Sequence, residues 1–159
     1  MKLIHPLRPI YDEHSKVLIL GSFPSVKSRE FMFYYANKQN RFWPVLESIY
    51  NEKITDRTEF CLRHHIALWD VIHSCTIQGS SDASISDVEV NDISSIITKS
   101  QIHTIFTTGF KADSLYKKYI HYPIKHIPLP STSSANARMH LEDLVQIYKQ
   151  IKEETDAEN

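Results

Sequence analysis

An α/β architecture built around a mostly parallel, four-stranded sheet follows from three features of the chain. Short apolar, β-branched runs recur at wide spacing: VLILG from Val17, IALWDVI from Ile66, IHTIFTTG from Ile102 and IKHIPLP from Ile124. Helical patterns lie between them, which is how parallel βα units are written in sequence. Small and hydroxylated residues follow every run, as expected where parallel strands end at a ligand-binding edge.

In chain order, VLIL is followed by GSFPSVKS, and a helix then reads RFWPVLESIY. Asn40 stands at its N-cap and Pro44 falls in its first turn, where a missing N–H costs little; capping alone would account for Asn40. Asp56 with Glu59 three residues on forms a capping box for a helix through His64. IALWDVI reads as one strand, followed by HSCTIQGSSD, and Asp92 caps a short helix carrying Ile93, Ile96 and Ile97 on one face. After IHTIFT and TGFK, the stripe Ala112, Leu115, Tyr116, Tyr119 predicts another amphipathic helix. After IKHIPL and PSTSSANAR, Leu141, Leu144, Val145, Tyr148 and Ile151 predict the last. Trp43 and Trp69 read as core. Residues 1–152 read as a single domain and residues 153–159 as a disordered tail.

With 159 residues, 42% of them hydrophobic, the chain can bury one substantial core but hardly two. No apolar stretch nears the roughly 20 residues of a membrane span, and MKLIHPLRPIYDEH meets Pro6 and two acids before a signal-peptide core could form. A soluble, cytoplasmic protein without a membrane partner is expected. Cys61 and Cys75 form no close pair, which excludes the usual zinc and iron–sulfur frameworks; both should be reduced and buried. A net charge of -1 excludes a coat protein holding polyanions by bulk charge. It leaves room for a local basic rim of Lys27, Arg29, Lys38 and Arg41, although a charge run of this kind is more often a solvated face. His64 and His65 suit a helix end, and His73 follows the second run near the proposed edge.

The stretch YYANKQNRFW concentrates polar groups just before an apolar run, and such groups are costly to bury unpaired. GSFPSVKS lacks the second glycine of a P-loop, and neither G-x-G-x-x-G nor G-x-S-x-G occurs. What the chain does carry is a combination: GSFPS after the first strand, YYANKQNRFW opening a helix, ALWDVIHSC with GSSDASI in the middle, and LPSTSSANA after the last strand. In this order the motifs resemble the uracil-DNA glycosylase superfamily, and within it the hypoxanthine-DNA (deoxyinosine) glycosylase branch. The resemblance spans residues 17–151.

It implies a three-layer α/β/α sandwich and a monofunctional N-glycosyl hydrolase acting on DNA that contains a deaminated base, as a monomer and without metal or organic cofactor. Tyr35 would stack on the flipped base, and Asn40 would orient water toward the sugar C1′ or contact the base edge. Gly21, Ser22 and Phe23 would hold the base. Pro24, Ser25 and Lys27, with Pro130, Ser131, Thr132 and Ser133, would contact DNA. Arg138 would fill the gap left by the base or pair with a phosphate, although a surface arginine is an equal reading. Asp70, His73 and Asp82 would support the site, the two acids by orienting loops through hydrogen bonds.

The sequence departs from the pattern at four positions. Phe23 stands where mismatch-specific relatives carry a water-positioning asparagine, and Leu129 where other relatives carry His or Asn to stabilise a departing uracil. Lys38 and Ser134 replace prolines. A mismatch-directed uracil glycosylase, or a binding module of the same fold without the reaction, are the competing expectations.

Overall fold

The computed structural model describes residues 2–157. Strand β1 (Lys2–Ile4) comes first, and β2 (Val17–Gly21) forms the centre of a four-stranded sheet with β3 (Ile66–Asp70), β6 (Thr104–Thr108) and β7 (Lys125–Leu129). The order is β3-β2-β6-β7 and every pairing is parallel. VLILG is apolar without alternation because both its faces are covered. Val17 and Ile19 pack with α2 (Phe42–Tyr50), α3 (Arg57–Arg63) and α6 (Leu141–Asp156). Leu18 and Leu20 face the other way, toward α4 (Ile93–Ile97) and α5 (Phe110–Tyr119). This is the three-layer arrangement expected, and a shorter helix, α1 (Val26–Phe31), follows β2.

The second apolar run is not one strand. It divides after Asp70, and β4 (Ile72–Thr76) joins an antiparallel sheet with β1 and β5 (Ser86–Val90), in the order β1-β4-β5. The Val71 and Ile72 N–H groups still donate to the carbonyls of Gly21 and Ser22, at 2.8 and 3.1 Å. Buried Asn91 pins the switch: its Nδ2 donates to the carbonyls of Asp70 at 2.9 Å and Ile72 at 3.1 Å. The division was hidden because only Ile72 of β4 belongs to the apolar run; His73 to Thr76 read as the loop after it.

Other boundaries shift. Helix α6 continues through Asp156, with Thr155 buried and Glu154 bonded to Thr104 and Lys125, so residues 153–156 are helix rather than tail. Residues 158 and 159 lie outside the described chain. Tyr119 and Leu141, expected in the core, are exposed. Trp43 is buried, whereas Trp69 is partly exposed between the two apolar clusters. Asp56 caps α3 by accepting the Glu59 N–H at 3.1 Å, but the Glu59 carboxylate turns to Arg63 instead of closing the box. Asp92 accepts from the Ser94 hydroxyl and makes no side-chain cap. Cys61 and Cys75 are free and buried, and burial pushes both thiols up. Among the described residues no helix is long and apolar enough to cross a membrane.

Candidate functional site

All four parallel strands end on the same edge, and there a cavity of about 200 Å³ opens, lined by residues of every sequence motif. Gly21 to Ser25 form one wall, Tyr35 and Asn40 another, Ser131 to Ser134 a third, and Asp70, Asp82 and Thr108 reach it from strand ends and a loop. It is smaller than drug-sized pockets of about 300–1,000 Å³, a scale that fits one small ring system.

Asn40 lines the cavity and stands one residue before the N-cap of α2, which is Arg41. Its Oδ1 accepts the Phe42 backbone N–H at 2.9 Å and the Thr132 hydroxyl at 2.8 Å. A backbone N–H can only donate, so the amide orientation is fixed: oxygen toward the helix, nitrogen away from it. Both lone pairs of the oxygen are used, and Nδ2 has no hydrogen bond to the described residues. The helix itself begins at Phe42, one residue later than expected.

Tyr35 occupies a left-handed backbone conformation, φ 53°, which costs an L side chain roughly 1–2 kcal/mol. Strain of this kind is retained where a side chain must be aimed. Its hydroxyl lies 3.1 Å from Thr108 Oγ1, which itself donates to the Leu20 carbonyl at 3.4 Å, so the tyrosine is the donor of the first bond. Burial first, and the Asp70 charge second, push the Tyr34 and Tyr35 phenols far above their ordinary range; both stay neutral donors.

Asp70, expected to orient loops, lines the cavity and hydrogen-bonds His5 of the N-terminal segment. It is 4% exposed, and its Oδ2 lies 2.7 Å from His5 Nε2. Gly21 is required opposite: a Cβ there would stand 2.5 Å from Asp70 Oδ1 and 3.4 Å from the Tyr35 hydroxyl. Asp82 accepts from the Ser22 hydroxyl at 3.1 Å and so ties the first motif to the middle one. Ser25 caps α1 by accepting the Ser28 N–H at 3.1 Å. Phe23, beside Pro24, is buried edge-on against His5.

Arg41, expected on a basic rim, points inward. Its guanidinium donates to four carbonyls of the last loop, those of Thr132, Ser133, Asn136 and Met139, and its own N–H donates to Thr132 at 3.0 Å. The second motif and the last loop are thereby one rigid unit. Tyr148 adds a bond to the Pro130 carbonyl.

Several expected residues lie outside the cavity wall. Lys27 is exposed and pairs with Glu30 at 3.3 Å. Pro130 and exposed Arg138 belong to the loop but not to the lining. His73 is not beside the cavity; it projects from β4, exposed, with Nδ1 3.3 Å from Asn91. Leu129 is 3% exposed in the core, so the position where relatives place a polar group offers none here. Sequence reasoning missed His5, Thr108, the inward Arg41 and Phe110. The last is 86% exposed at the start of α5, directly after Gly109. Its only sequence signal was an aromatic following a strand-end glycine.

The chain is similar to two proteins named hypoxanthine DNA glycosylase. One, from Methanosarcina acetivorans, is 33% identical over 135 residues, covering 81% of this chain and 85% of the relative. The other, from Methanosarcina barkeri, is 37% identical over 91 residues, covering 54% and 58%. A solution NMR structure of a candidate uracil DNA glycosylase from Methanosarcina acetivorans superposes with a TM-score of 0.76 at 27% identity, covering 96% of this chain and 99% of that one. With residues 8–152 matching the family as well, the chain belongs to the uracil DNA glycosylase superfamily.

Proposed function

We propose that the protein is a monofunctional DNA glycosylase that hydrolyses the N-glycosidic bond of a deaminated base, hypoxanthine first and uracil second, and leaves an abasic site. The observation that carries this is Asn40: its oxygen is spent on Phe42 and Thr132, which leaves the amide nitrogen of this cavity-lining residue an unused donor in a fixed orientation. Fixed donors are what the reaction needs, because the base leaves with negative charge while the sugar becomes oxocarbenium-like. A donor aimed at developing charge contributes about 10²–10³-fold in rate.

The target nucleotide must be flipped out of the duplex to be reached. Tyr35, backed by the Phe42 ring, offers a face for the base. Of the alternatives left open by the sequence, the spent oxygen favours Asn40 as a donor to the base over an acceptor that pulls a proton from water. Buried Leu129 favours hypoxanthine over a uracil-specific mechanism. The loop held by Arg41 supplies DNA contacts through Ser131 to Ser133. Exposed Phe110 and Arg138 are the candidates for filling the vacated stack, since apolar wedges serve that role in other DNA complexes.

The test is incubation with labelled oligonucleotides holding one deoxyinosine, one deoxyuridine or neither, followed by alkali to cut abasic sites. Asn40→Asp and Asn40→Ala run alongside. Asp can accept both structural bonds but cannot donate, so Asn40→Asp should fold normally and lose at least about 10²-fold in rate. Asn40→Ala should lose the rate and also about 0.5–2 kcal/mol of stability. An active Asn40→Asp would defeat the donor role. A folded wild type that cuts neither base would leave a binding module.

A further inference from the structure

We propose that His5 fixes Asp70 as a pure hydrogen-bond acceptor and so makes the pair a filter for bases that present a ring N–H to the cavity. This rests on the glycosylase reading above. Deamination changes one edge of a base: adenine has a bare ring nitrogen beside an amino group, whereas hypoxanthine, like uracil, has a ring N–H beside a carbonyl. An acceptor at the right place separates them.

Asp70 Oδ2 and His5 Nε2 are 2.7 Å apart, and the two side chains are 6% and 2% exposed. At its other nitrogen His5 meets the Leu7 main chain, 2.9 Å from the carbonyl oxygen and 3.3 Å from the N–H. Its ring lies between Phe23, edge-on at 5.9 Å, and Tyr34 at 6.3 Å, so it has no room to turn away. Whichever partner carries the shared proton, that proton lies between Nε2 and Oδ2. Asp70 Oδ1 is then an acceptor in every case. It sits on the Gly21 side of the cavity and takes no hydrogen bond from the described residues. The other ionisable groups that feel the Asp70 charge are Tyr34, Tyr35 and Asp82.

Released from His5, the carboxyl could take a proton on Oδ1 and donate to the bare nitrogen of adenine, the normal base most in need of rejection. Held by His5, it presents a lone pair to a lone pair. A site built around one hydrogen bond discriminates strongly against a ligand lacking its partner. His5 is thus a positioning residue that acts through Asp70.

The test compares wild type, His5→Gln, His5→Leu and Asp70→Ala in single-turnover base release from duplexes holding deoxyinosine or deoxyadenosine at one position. A thermal-shift titration with free hypoxanthine and free adenine reads the same filter without chemistry. His5→Gln keeps an N–H donor and should keep the preference. His5→Leu should narrow it by about tenfold or more. Asp70→Ala, which removes the cavity acceptor whichever partner carries the shared proton, should lower hypoxanthine release on the order of 10²-fold or more and level the two bases. An unchanged preference in His5→Leu or Asp70→Ala overturns the filter, as does an equal loss in His5→Gln and His5→Leu. Should His5→Leu fail to fold, Asp70→Ala decides. A wild type that releases no base but prefers free hypoxanthine in the titration would instead defeat only the glycosylase reading; no preference there defeats the filter.

Discussion

Tyr35 lies flat on Phe42, with ring centroids 3.8 Å apart and planes 12° from parallel. Phe42 is fully buried while Tyr35 borders the cavity, so a base stacking on Tyr35 would extend a column already founded in the core. Tyr35→Ala should weaken binding to deoxyinosine DNA by about 1–3 kcal/mol, read by fluorescence anisotropy. Tyr35→Phe should bind nearly as wild type, since the hydroxyl only anchors the ring to Thr108. Equal binding by Tyr35→Ala would remove the stacking role.

Gly21 is needed for space. Gly21→Ala drives a methyl into Asp70 Oδ1, and His5 prevents that short side chain from swinging clear. Overpacking of this kind costs roughly 1–3 kcal/mol, and the displaced carboxylate should abolish base release. Melting temperature and single-turnover rate measured together check this; a wild-type rate would mean that the wall tolerates the shift.

Arg41→Lys should not be conservative. A single ammonium cannot reach four carbonyls set around a planar fork, and hydrogen bonds to a charged group contribute about 1.5–3 kcal/mol. A fall of that order in stability is expected, with faster amide exchange across residues 130–140. Unchanged exchange there would show that the bonds from Tyr148 and to Asn40 hold the loop without Arg41.

Far from the cavity, Glu52 provides a pH signature. Hydrogen bonds from Arg63 first and His64 second hold its carboxyl down at about 2, against an ordinary value of 4.5. A depressed carboxyl contributes stability that is fully present above pH 4.5 and lost as the pH falls toward 2. Glu52→Gln should therefore be less stable at pH 7, lose less stability between pH 4.5 and 2, and match wild type near pH 2. Urea midpoints across that range decide it, and parallel curves would mean that the pair contributes nothing.

Much of this molecule was readable from its sequence because its main sheet is buried on both faces. VLILG and IHTIFTTG could hardly be anything but central strands, and the helices between them followed from their stripes. The small sheet escaped notice: β1 and β5 are short and mostly exposed, and β4 beyond Ile72 is the stretch HSCT, which reads as a loop. At the site, Asn40 and Tyr35 stood out because polar groups gathered before an apolar helix. His5 carried no such mark. It lies 65 positions from Asp70 in the chain, and the pairing of β1 with β4, with the bridge between Ile10 and Leu68, brings the N-terminal segment to the cavity. Arg41 misled for a related reason, since a charge beside polar residues looks solvated until the carbonyls it serves are folded around it.

The four bonds from Arg41 end on main-chain oxygens, which every amino acid carries. The curvature of the last loop is therefore indifferent to the identity of the exposed residues Ala135, Ala137 and Arg138. Such a loop is an exchangeable face on a fixed frame. Natural drift or a designed library can change what that face presents while the cavity wall behind it stays still.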